Sequence, residues 1–218
     1  MDRTILHCDM NSFFASVELL AYPALRDKPV AVSGNPEDRR GIILAKNESA
    51  KKFGIQTAET IWQAKKKCPK LVLLPPHHDK YESYCKIINS VYLRYTDMVL
   101  LLKFTLARLD ITGSLKHFKK NGKEIADEIR EVVRSEIGLT LSAGVSFNKV
   151  FAKMGSEYKK PNATTVINRE NFKKLLWPMP VGELFFVGAV TAEKLKKINI
   201  LTIGDLALAD KGFLSDSL

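Results

Sequence analysis

The sequence predicts an α+β fold, a sheet with helices packed on one face, followed by a small helical unit. Three observations support this prediction. Apolar runs of strand length alternate with amphipathic stretches of helical period through the middle of the chain. After Asn168 the strand-like runs give way to short helical stretches between turn signals. The 218 residues are 45% hydrophobic, which is enough to bury one sizeable core with smaller satellites.

The first part of the chain predicts one strand, one helix and then a compact basic unit. Residues 4–9 are an apolar run typical of a buried strand, and Asn11 or Ser12 can cap a helix over residues 13–20. Two further strands are predicted at residues 29–33 and 41–45, joined by the turn-rich residues 34–38. They are followed by two lysine-bearing helices at residues 47–53 and 60–67 and one more strand at residues 71–74.

The middle of the chain predicts the rest of the sheet. From Asp79 a long amphipathic helix carries an aromatic and aliphatic stripe that is typical of core packing. Alternating apolar residues over 98–112 predict one or two strands that end at the turn around Gly113. A charged helix is predicted at residues 123–134 and a strand at residues 139–145. They are followed by a helix at residues 149–158, capped by Ser146 or Asn148, and by a last strand at residues 164–167. We expect the helices to cover one face of this sheet.

The end of the chain predicts two helix-turn units in tandem. Gly188-Ala189-Val190 precedes a helix over residues 191–197, and Asn199-Ile200-Leu201 precedes a helix over residues 202–208. Such units can bind a phosphate backbone through turn amides. An ordinary helical hairpin has the same spacing, so the pattern alone leaves both interpretations open.

The composition limits the possible partners and compartments. Lys and Arg number 34 against 24 Asp and Glu, and the net charge of +10 favours a polyanionic partner, nucleic acid before a membrane surface. Charge alone leaves a merely soluble basic protein as an equal alternative. Residues 37–70 alone contribute half of that surplus. Cys8, Cys68 and Cys85 match neither a disulfide framework nor a zinc site. With no signal segment and no apolar run of the ~18 residues that a membrane span needs, we expect a cytoplasmic protein without a membrane partner.

Asp9 lies at a position where its carboxylate can bind a metal ion. Asp9 ends the first predicted strand and faces the start of a helix, so its carboxylate can hold Mg²⁺ while free amides around residues 12–14 face a phosphate. Alone, an Asp in this position is more often a capping residue. His77-His78 is better explained as a polar pair in a loop than as a metal pair. No Ser-His-Asp order or P-loop pattern supports a hydrolase or an NTPase.

Four segments of the sequence carry a family resemblance. They read HCDMNSFFASVE, GIILAKNESAKKFGI, LSAGVSFNKVFAKMGSEYKKPNATTVI and FVGAVTAEKLKKINILTIGDL. In this order they resemble the Y-family translesion DNA polymerases, most closely the bacterial polymerase IV type. The resemblance extends from Met1 to about Ala209.

The resemblance implies a right-hand polymerase core that inserts nucleotides by two-metal chemistry in translesion synthesis and DNA repair. A ferredoxin-like palm would comprise residues 1–10 and 79–167, small α/β fingers residues 11–78, and a partial helix-hairpin-helix thumb residues 168–218, with the little finger absent. Mg²⁺ is the expected cofactor, and primer-template DNA and a deoxynucleoside triphosphate are the expected partners. Sliding-clamp binding and oligomeric state stay open. Without a little finger we expect weak, salt-sensitive DNA binding.

The resemblance also assigns residue roles. Asp9 matches the first catalytic carboxylate, and together with the carbonyl of Met10 it would hold metal. Phe14 matches the aromatic that excludes a ribose 2′-hydroxyl. Glu48 falls where many relatives have a phosphate-binding Tyr. The remaining nucleotide-binding positions are Ser12, Phe13, Lys51 and Lys160, and the DNA-binding positions of the thumb are Gly188, Lys194 and Asn199.

The palm departs from the family at the metal site. Relatives carry an Asp-Glu pair before the Leu-Asp-Ile-Thr segment, and the ungapped register places Thr105 and Leu106 there. Asp110 belongs to the family pattern outside the metal site, and Arg108 and Lys103 add positive charge nearby. We therefore expect this chain to be catalytically disabled or very weak. A non-catalytic DNA- or partner-binding relic and a fragment or locally altered copy of an active gene product are the alternatives.

Overall fold

The computed structural model describes residues 2–34 and 41–217, so most of the predicted turn at residues 34–38 lies outside the described part. The strands are β1 Ile5–Met10, β2 Val30–Ser33, β3 Ile43–Lys46, β4 Val72–Leu74, β5 Val99–Lys103, β6 Leu106–Asp110, β7 Leu141–Ser146 and β8 Thr164–Ile167. The α-helices are α1 Phe13–Ala21, α2 Glu48–Lys51, α3 Ile61–Lys67, α4 His78–Leu93, α5 Ser114–Phe118, α6 Gly122–Val132, α7 Lys149–Tyr158, α8 Phe172–Leu176, α9 Ala189–Lys197, α10 Ile203–Leu208 and α11 Lys211–Ser217.

A five-stranded sheet in the order β5-β6-β1-β7-β8 forms the centre of the fold, which confirms the α+β prediction. The central strand β1 is antiparallel to both neighbours, β6 and β7. The segment predicted as one or two strands forms two, β5 and β6, joined by a turn at Phe104 and Thr105. Leu6, Cys8 and Met10 of β1 point into the main core.

Helices cover both faces of this sheet, so the expectation that they share one face is only partly right. Helices α4 and α6 pack on the face that carries the main core. Helix α7 packs on the opposite face, directly over Gly144 of β7. A Cβ at Gly144 would lie 1.9 Å from the carbonyl oxygen of Ala152. The missing side chain therefore lets α7 approach the strands closely.

A smaller sheet in the order β3-β2-β4 lies beside the first, with β2 antiparallel to β3 and parallel to β4. Its own core includes Ile43, Ile61 and Leu71. The side chain of Asn47 accepts hydrogen bonds from the amides of Val30 and Ala50, which ties β2 to the start of α2. Helix α2 is shorter than the predicted helix over residues 47–53, whereas α3 keeps its predicted end at Lys67.

The C-terminal helices form two further apolar clusters. Met154, Ile167, Leu176 and Ile203 make one, and it joins α7 and β8 to α8 and α10. Val181, Leu195 and Ile200 make the other, around α9. The predicted helices over residues 191–197 and 202–208 are present as α9 and α10, while α5, α8 and α11 have no counterpart in the sequence prediction.

Within residues 2–34 and 41–217, every helix is too short or too polar to cross a membrane.

Candidate active site

Asp9 lies near the end of the central strand with its side chain on the face covered by α7. Because side chains alternate along a strand, His7 and Asp9 project away from the core that Cys8 and Met10 enter. The side chain of Asp9 is only 9% exposed. A carboxylate this deep in the fold requires charged or hydrogen-bonding partners.

Two lysines and a glutamate supply those partners. The ammonium nitrogen of Lys160 lies 2.5 Å from Oδ2 of Asp9, and that of Lys153 lies 3.3 Å from the same oxygen. Both ammonium groups also pair with Glu157, Lys160 at 3.0 Å and Lys153 in a shorter contact. Lys153 and Glu157 are one turn apart on α7, and Lys160 follows the helix. We call Asp9, Lys153, Glu157 and Lys160 the ion-pair cluster.

The ionisation of the cluster follows from burial and from these contacts. Burial raises the pKa of Asp9, and the ammonium groups of Lys160 and Lys153 oppose that rise. For Lys160, burial favours the neutral amine, but the carboxylates of Asp9 and Glu157 outweigh it and raise the pKa. For Glu157, burial is outweighed by Lys153 and Lys160, which lower the pKa to about 2. Lys160 and Glu157 are therefore charged at neutral pH.

The strand opposite Asp9 brings no carboxylate. Asp9 pairs in register with Leu106, and the amide of Met10 donates a hydrogen bond to the carbonyl oxygen of Thr105 at 2.9 Å. Asp110 pairs with Ile5 at the other end of β1, about 13 Å away at the rise of a strand. Asp110 also accepts hydrogen bonds from Thr112. It is therefore too distant to replace the missing pair.

These residues do not fit a site for two Mg²⁺ ions. Mg²⁺ in polymerase-type sites needs carboxylate oxygens in addition to substrate phosphates. Oδ2 of Asp9 is occupied by two ammonium groups, and the neighbouring carboxylate of Glu157 pairs with the same two groups. Across residues 2–34 and 41–217, no three His, Cys, Asp or Glu side chains come together as a metal-binding group.

A cavity of about 280 Å³ opens beside Met10 and Thr105, between the two sheets. It is lined by Met10, Ser12, Phe13, Phe14, Leu44, Ala45, Lys46, Lys51, Thr57 and Thr105. The ring of Phe14 stacks on Tyr81 at 4.0 Å, which fixes the aromatic wall of the cavity. Phe13 is buried in the main core. The structure thus brings most of the predicted nucleotide-binding residues to one cavity, whereas Lys160 lies at Asp9.

The carboxylate of Glu48 binds two of the predicted nucleotide-binding residues, Ser12 and Lys51. Its Oε1 accepts a hydrogen bond from Oγ of Ser12 at 3.0 Å and from the ammonium of Lys51 at 2.6 Å. Ser12 holds the N-cap position of α1 with φ 49°, and its side chain makes no cap, contrary to the capping role considered from the sequence. Asn11 does not cap through its side chain either, although its carbonyl oxygen accepts from Oγ of Ser16.

Sequence reasoning missed three charged residues of this region. Lys46 lies on β3 in the cavity and donates to Oγ1 of Thr57 at 2.9 Å. Burial and the nearby charge of Lys51 lower the pKa of Lys46. Lys153 and Glu157 were the other two. Their spacing of one helical turn, ending beside Lys160, is a signal that was present in the predicted helix over residues 149–158.

Two histidine features also become clear. His7 is buried opposite Arg108 and has no hydrogen-bond partner at either ring nitrogen. Burial, with the charges of Lys153 and Arg108, lowers the pKa of His7 to about 3, so the ring stays neutral. His77 precedes α4 as its N-cap and His78 is the first residue of the helix, so only His78 departs from the predicted loop. Nδ1 of His77 pairs with the buried Glu18 at 3.0 Å.

The predicted thumb residues lie apart from Asp9, around α9. Gly188 is the N-cap of α9 with open space at its Cβ position, and Lys194 lies in the last turn of that helix. Asn199 has φ 65°, a left-handed conformation that Asn tolerates better than most residues. Phe186 also has positive φ, 83°, and its side chain is largely exposed. That strained position was not predicted.

Comparison with known proteins places this geometry in context. A family model described as the impB/mucB/samB family matches residues 8–157, and one described as the IMS family HHH motif matches residues 169–200. The chain is 50% identical over 214 residues to DNA polymerase IV of Acetivibrio thermocellus, covering 98% of this chain and 53% of the relative. It is 42% identical over 209 residues to DNA polymerase IV 1 of Bacillus subtilis, covering 96% and 50%.

Solved structures show the same similarity in three dimensions. The crystal structure of DinB from Sulfolobus solfataricus matches with a TM-score of 0.89 at 25% identity, over 98% of this chain and 62% of that one. The insertion ternary complex of Dbh DNA polymerase matches with the same TM-score and identity. This chain spans about half the length of the polymerase IV relatives.

Proposed function

The chain belongs to the impB/mucB/samB family, the Y-family DNA polymerases of the polymerase IV type, and on that premise we propose a polymerase core with impaired chemistry. In this proposal it binds primer-template DNA and a deoxynucleoside triphosphate but inserts nucleotides very weakly or not at all. The family function would be translesion synthesis in DNA repair, in the cytoplasm, with Mg²⁺ as cofactor. The observation that carries the proposal is the pairing of Asp9 with Lys160 and Lys153, opposite Thr105 and Leu106.

We assign the parts of the fold as in a right-hand polymerase. The larger sheet with α4 and α6 would be the palm, residues 1–10 and 79–167. The smaller sheet with its helices would lie in the fingers, residues 11–78, and the C-terminal helices would be a partial thumb, residues 168–218. The cavity between the two sheets then lies where palm and fingers meet, which supports its assignment as the nucleotide pocket.

Residue roles within that pocket are proposed from the family resemblance, and the positions of the side chains support them. Phe14, held by its stack on Tyr81, would exclude a ribose 2′-hydroxyl by steric clash. Lys46 and Lys51 would contact the triphosphate as point charges. Gly188, Lys194 and Asn199 would contact the DNA backbone from the thumb, with the turn amides at α9 facing a phosphate.

The impairment is a loss of charge where two metals would be held. Metal ions in such sites contribute several kcal/mol of transition-state stabilisation, and about 4 kcal/mol corresponds to about 10³-fold in rate. Asp9 offers one carboxylate, and Lys160 already neutralises it at 2.5 Å. This chain therefore lacks the carboxylates that two-metal chemistry requires.

Primer extension with matched variants tests the proposal. In Mg²⁺, we expect the full chain to extend a primer no faster than Asp9→Ala. The double substitution Thr105→Asp with Leu106→Glu should raise the rate by at least about 10-fold if the missing pair is the main defect. Thr105→Asn with Leu106→Gln is the control, because it changes polarity and shape without adding charge. Extension by the unaltered chain well above Asp9→Ala would overturn the proposal.

A non-catalytic partner-binding relic is the second candidate, and the edge strand β5 favours it. Leu100, Leu101 and Leu102 are all exposed on this outermost strand of the larger sheet, and an apolar edge of this kind is a typical interaction surface. The charged double substitution separates the two candidates. Recovered extension favours a locally damaged enzyme, and continued inactivity favours divergence of the whole site.

A further inference from the structure

The ion-pair cluster places two ammonium groups where a polymerase site would need a divalent cation. Lys160 and Lys153 each contact both Asp9 and Glu157, so two positive and two negative charges close on one another. The side chain of Lys153 is 16% exposed and that of Lys160 is 27% exposed. Ammonium groups this well enclosed keep their contacts against solvent far better than surface pairs do.

A divalent ion would have to break this arrangement to bind. Oδ2 of Asp9 is shared by both lysines, so a metal there would separate Lys160 from its partner and leave an ammonium beside a dication. The side chain of Leu106, opposite Asp9, has no oxygen to compensate, and that of Thr105 has only a neutral hydroxyl. The cluster therefore excludes the cation electrostatically as well as lacking ligands for it.

The neutral residues Thr105 and Leu106 also change the electrostatic repulsion that a bound triphosphate would experience. With a carboxylate pair in place of Thr105 and Leu106, a free triphosphate would be repelled unless metal ions lay between. The neutral pair removes that repulsion. On the other wall, the ammonium of Lys46 donates to the neutral hydroxyl of Thr57, and Lys51 has a half-exposed pair with Glu48 that a phosphate can replace.

We propose that this cavity binds a nucleoside triphosphate as the free anion, without a divalent metal, through Lys46 and Lys51. This inference rests on the proposed function only in taking the cavity as the nucleotide pocket. Mg²⁺ then competes with the protein for the triphosphate, because it neutralises charge that the two lysines would otherwise contact. The site responds to Mg²⁺ in the direction opposite to that of a metal-dependent polymerase.

Equilibrium binding of a fluorescent deoxynucleoside triphosphate to the full chain tests the inference. In EDTA we expect a Kd at least about twofold lower than in excess Mg²⁺. Lys46→Ala should weaken binding severalfold in both media, whereas Lys174→Ala, an exposed lysine on α8, should leave it unchanged. The substitution Thr105→Asp with Leu106→Glu should reverse the response, so that Mg²⁺ strengthens binding, and Thr105→Asn with Leu106→Gln should not.

The outcomes separate the two claims. Tighter binding with Mg²⁺ than with EDTA in the unaltered chain overturns the inference and leaves the nucleotide pocket in place. Absence of binding in both media overturns the inference and the nucleotide pocket together.

Electron paramagnetic resonance of added Mn²⁺ gives an independent readout. We expect the unaltered chain to leave Mn²⁺ free in solution, and stoichiometric Mn²⁺ binding abolished by Asp9→Ala would also overturn the inference.

Discussion

Replacing Gly144 by Ala tests how α7 reaches Asp9. Gly144 lies on β7 opposite His7, and a Cβ there would lie 1.9 Å from the carbonyl oxygen of Ala152 and 2.4 Å from the amide nitrogen of Ser156. Both neighbours are backbone atoms of α7, so no side-chain rotation relieves the clash. The helix must withdraw until the closest contact grows from 1.9 Å to at least 3.0 Å.

That movement has an expected energetic consequence. Overpacking of a well-packed core costs about 1–3 kcal/mol, and contact between rigid backbone atoms belongs at the upper end, about 3 kcal/mol. The withdrawal also moves Lys153 and Glu157 away from Asp9, which weakens the ion-pair cluster. Gly144→Ala should therefore lower the free energy of unfolding and alter the titration of the cluster together.

Urea denaturation followed by far-ultraviolet circular dichroism measures the effect. Gly113→Ala is the matched control, because Gly113 has φ −69° and open space around its Cβ position. An added methyl there should change stability by less than about 1 kcal/mol, and in the stabilising direction. The reasoning fails if the two substitutions change the unfolding free energy by the same amount.

Three further results are expected. Phe186→Gly should raise the melting temperature by relieving about 1 kcal/mol of backbone strain at φ 83°, because the exposed ring is not part of a core; a lower melting temperature would contradict this. Glu157 has its pKa lowered from 4.5 to about 2, so its contribution to stability is present above pH 4.5 and is lost as the pH falls toward 2. Urea titrations should accordingly show Glu157→Gln less stable than the unaltered chain at neutral pH, with the gap closing on acidification. Tyr81→Phe should cost about 1–2 kcal/mol, because it removes the 2.6 Å hydrogen bond to the buried carboxylate of Glu18; an unchanged urea midpoint would contradict this.

Much of the fold was predictable because it rests on local patterns. The buried strand at residues 4–9, the helix over residues 149–158 and the last strand at residues 164–167 all appear close to their predicted bounds. The missed helices α5, α8 and α11 have between five and seven residues, too few for a periodic pattern. The second covered face of the sheet was missed because it depends on the side to which α7 crosses between β7 and β8 and on the close approach that Gly144 permits, and the helical pattern of α7 does not reveal either.

The candidate site was predictable in part for a related reason. Asp9 is visible in the sequence because it ends a predicted strand, whereas Phe14 and the neutral Thr105-Leu106 pair are singled out by the family resemblance. The partners of Asp9 are not visible in this way, since Lys153 and Lys160 lie more than 140 residues further along the chain and meet it only after α7 packs on the sheet. Glu48 similarly binds Ser12 across the boundary between the two sheets.

The central claim is that Lys160 and not a metal ion is the counter-ion of Asp9. Anomalous diffraction from crystals of the full chain soaked with Mn²⁺ and a deoxynucleoside triphosphate tests it directly. We expect no manganese peak within coordination distance of Asp9, with the ammonium of Lys160 still at hydrogen-bond distance from Oδ2. A manganese peak bound to Asp9, with Lys160 displaced toward the phosphates, would contradict the claim.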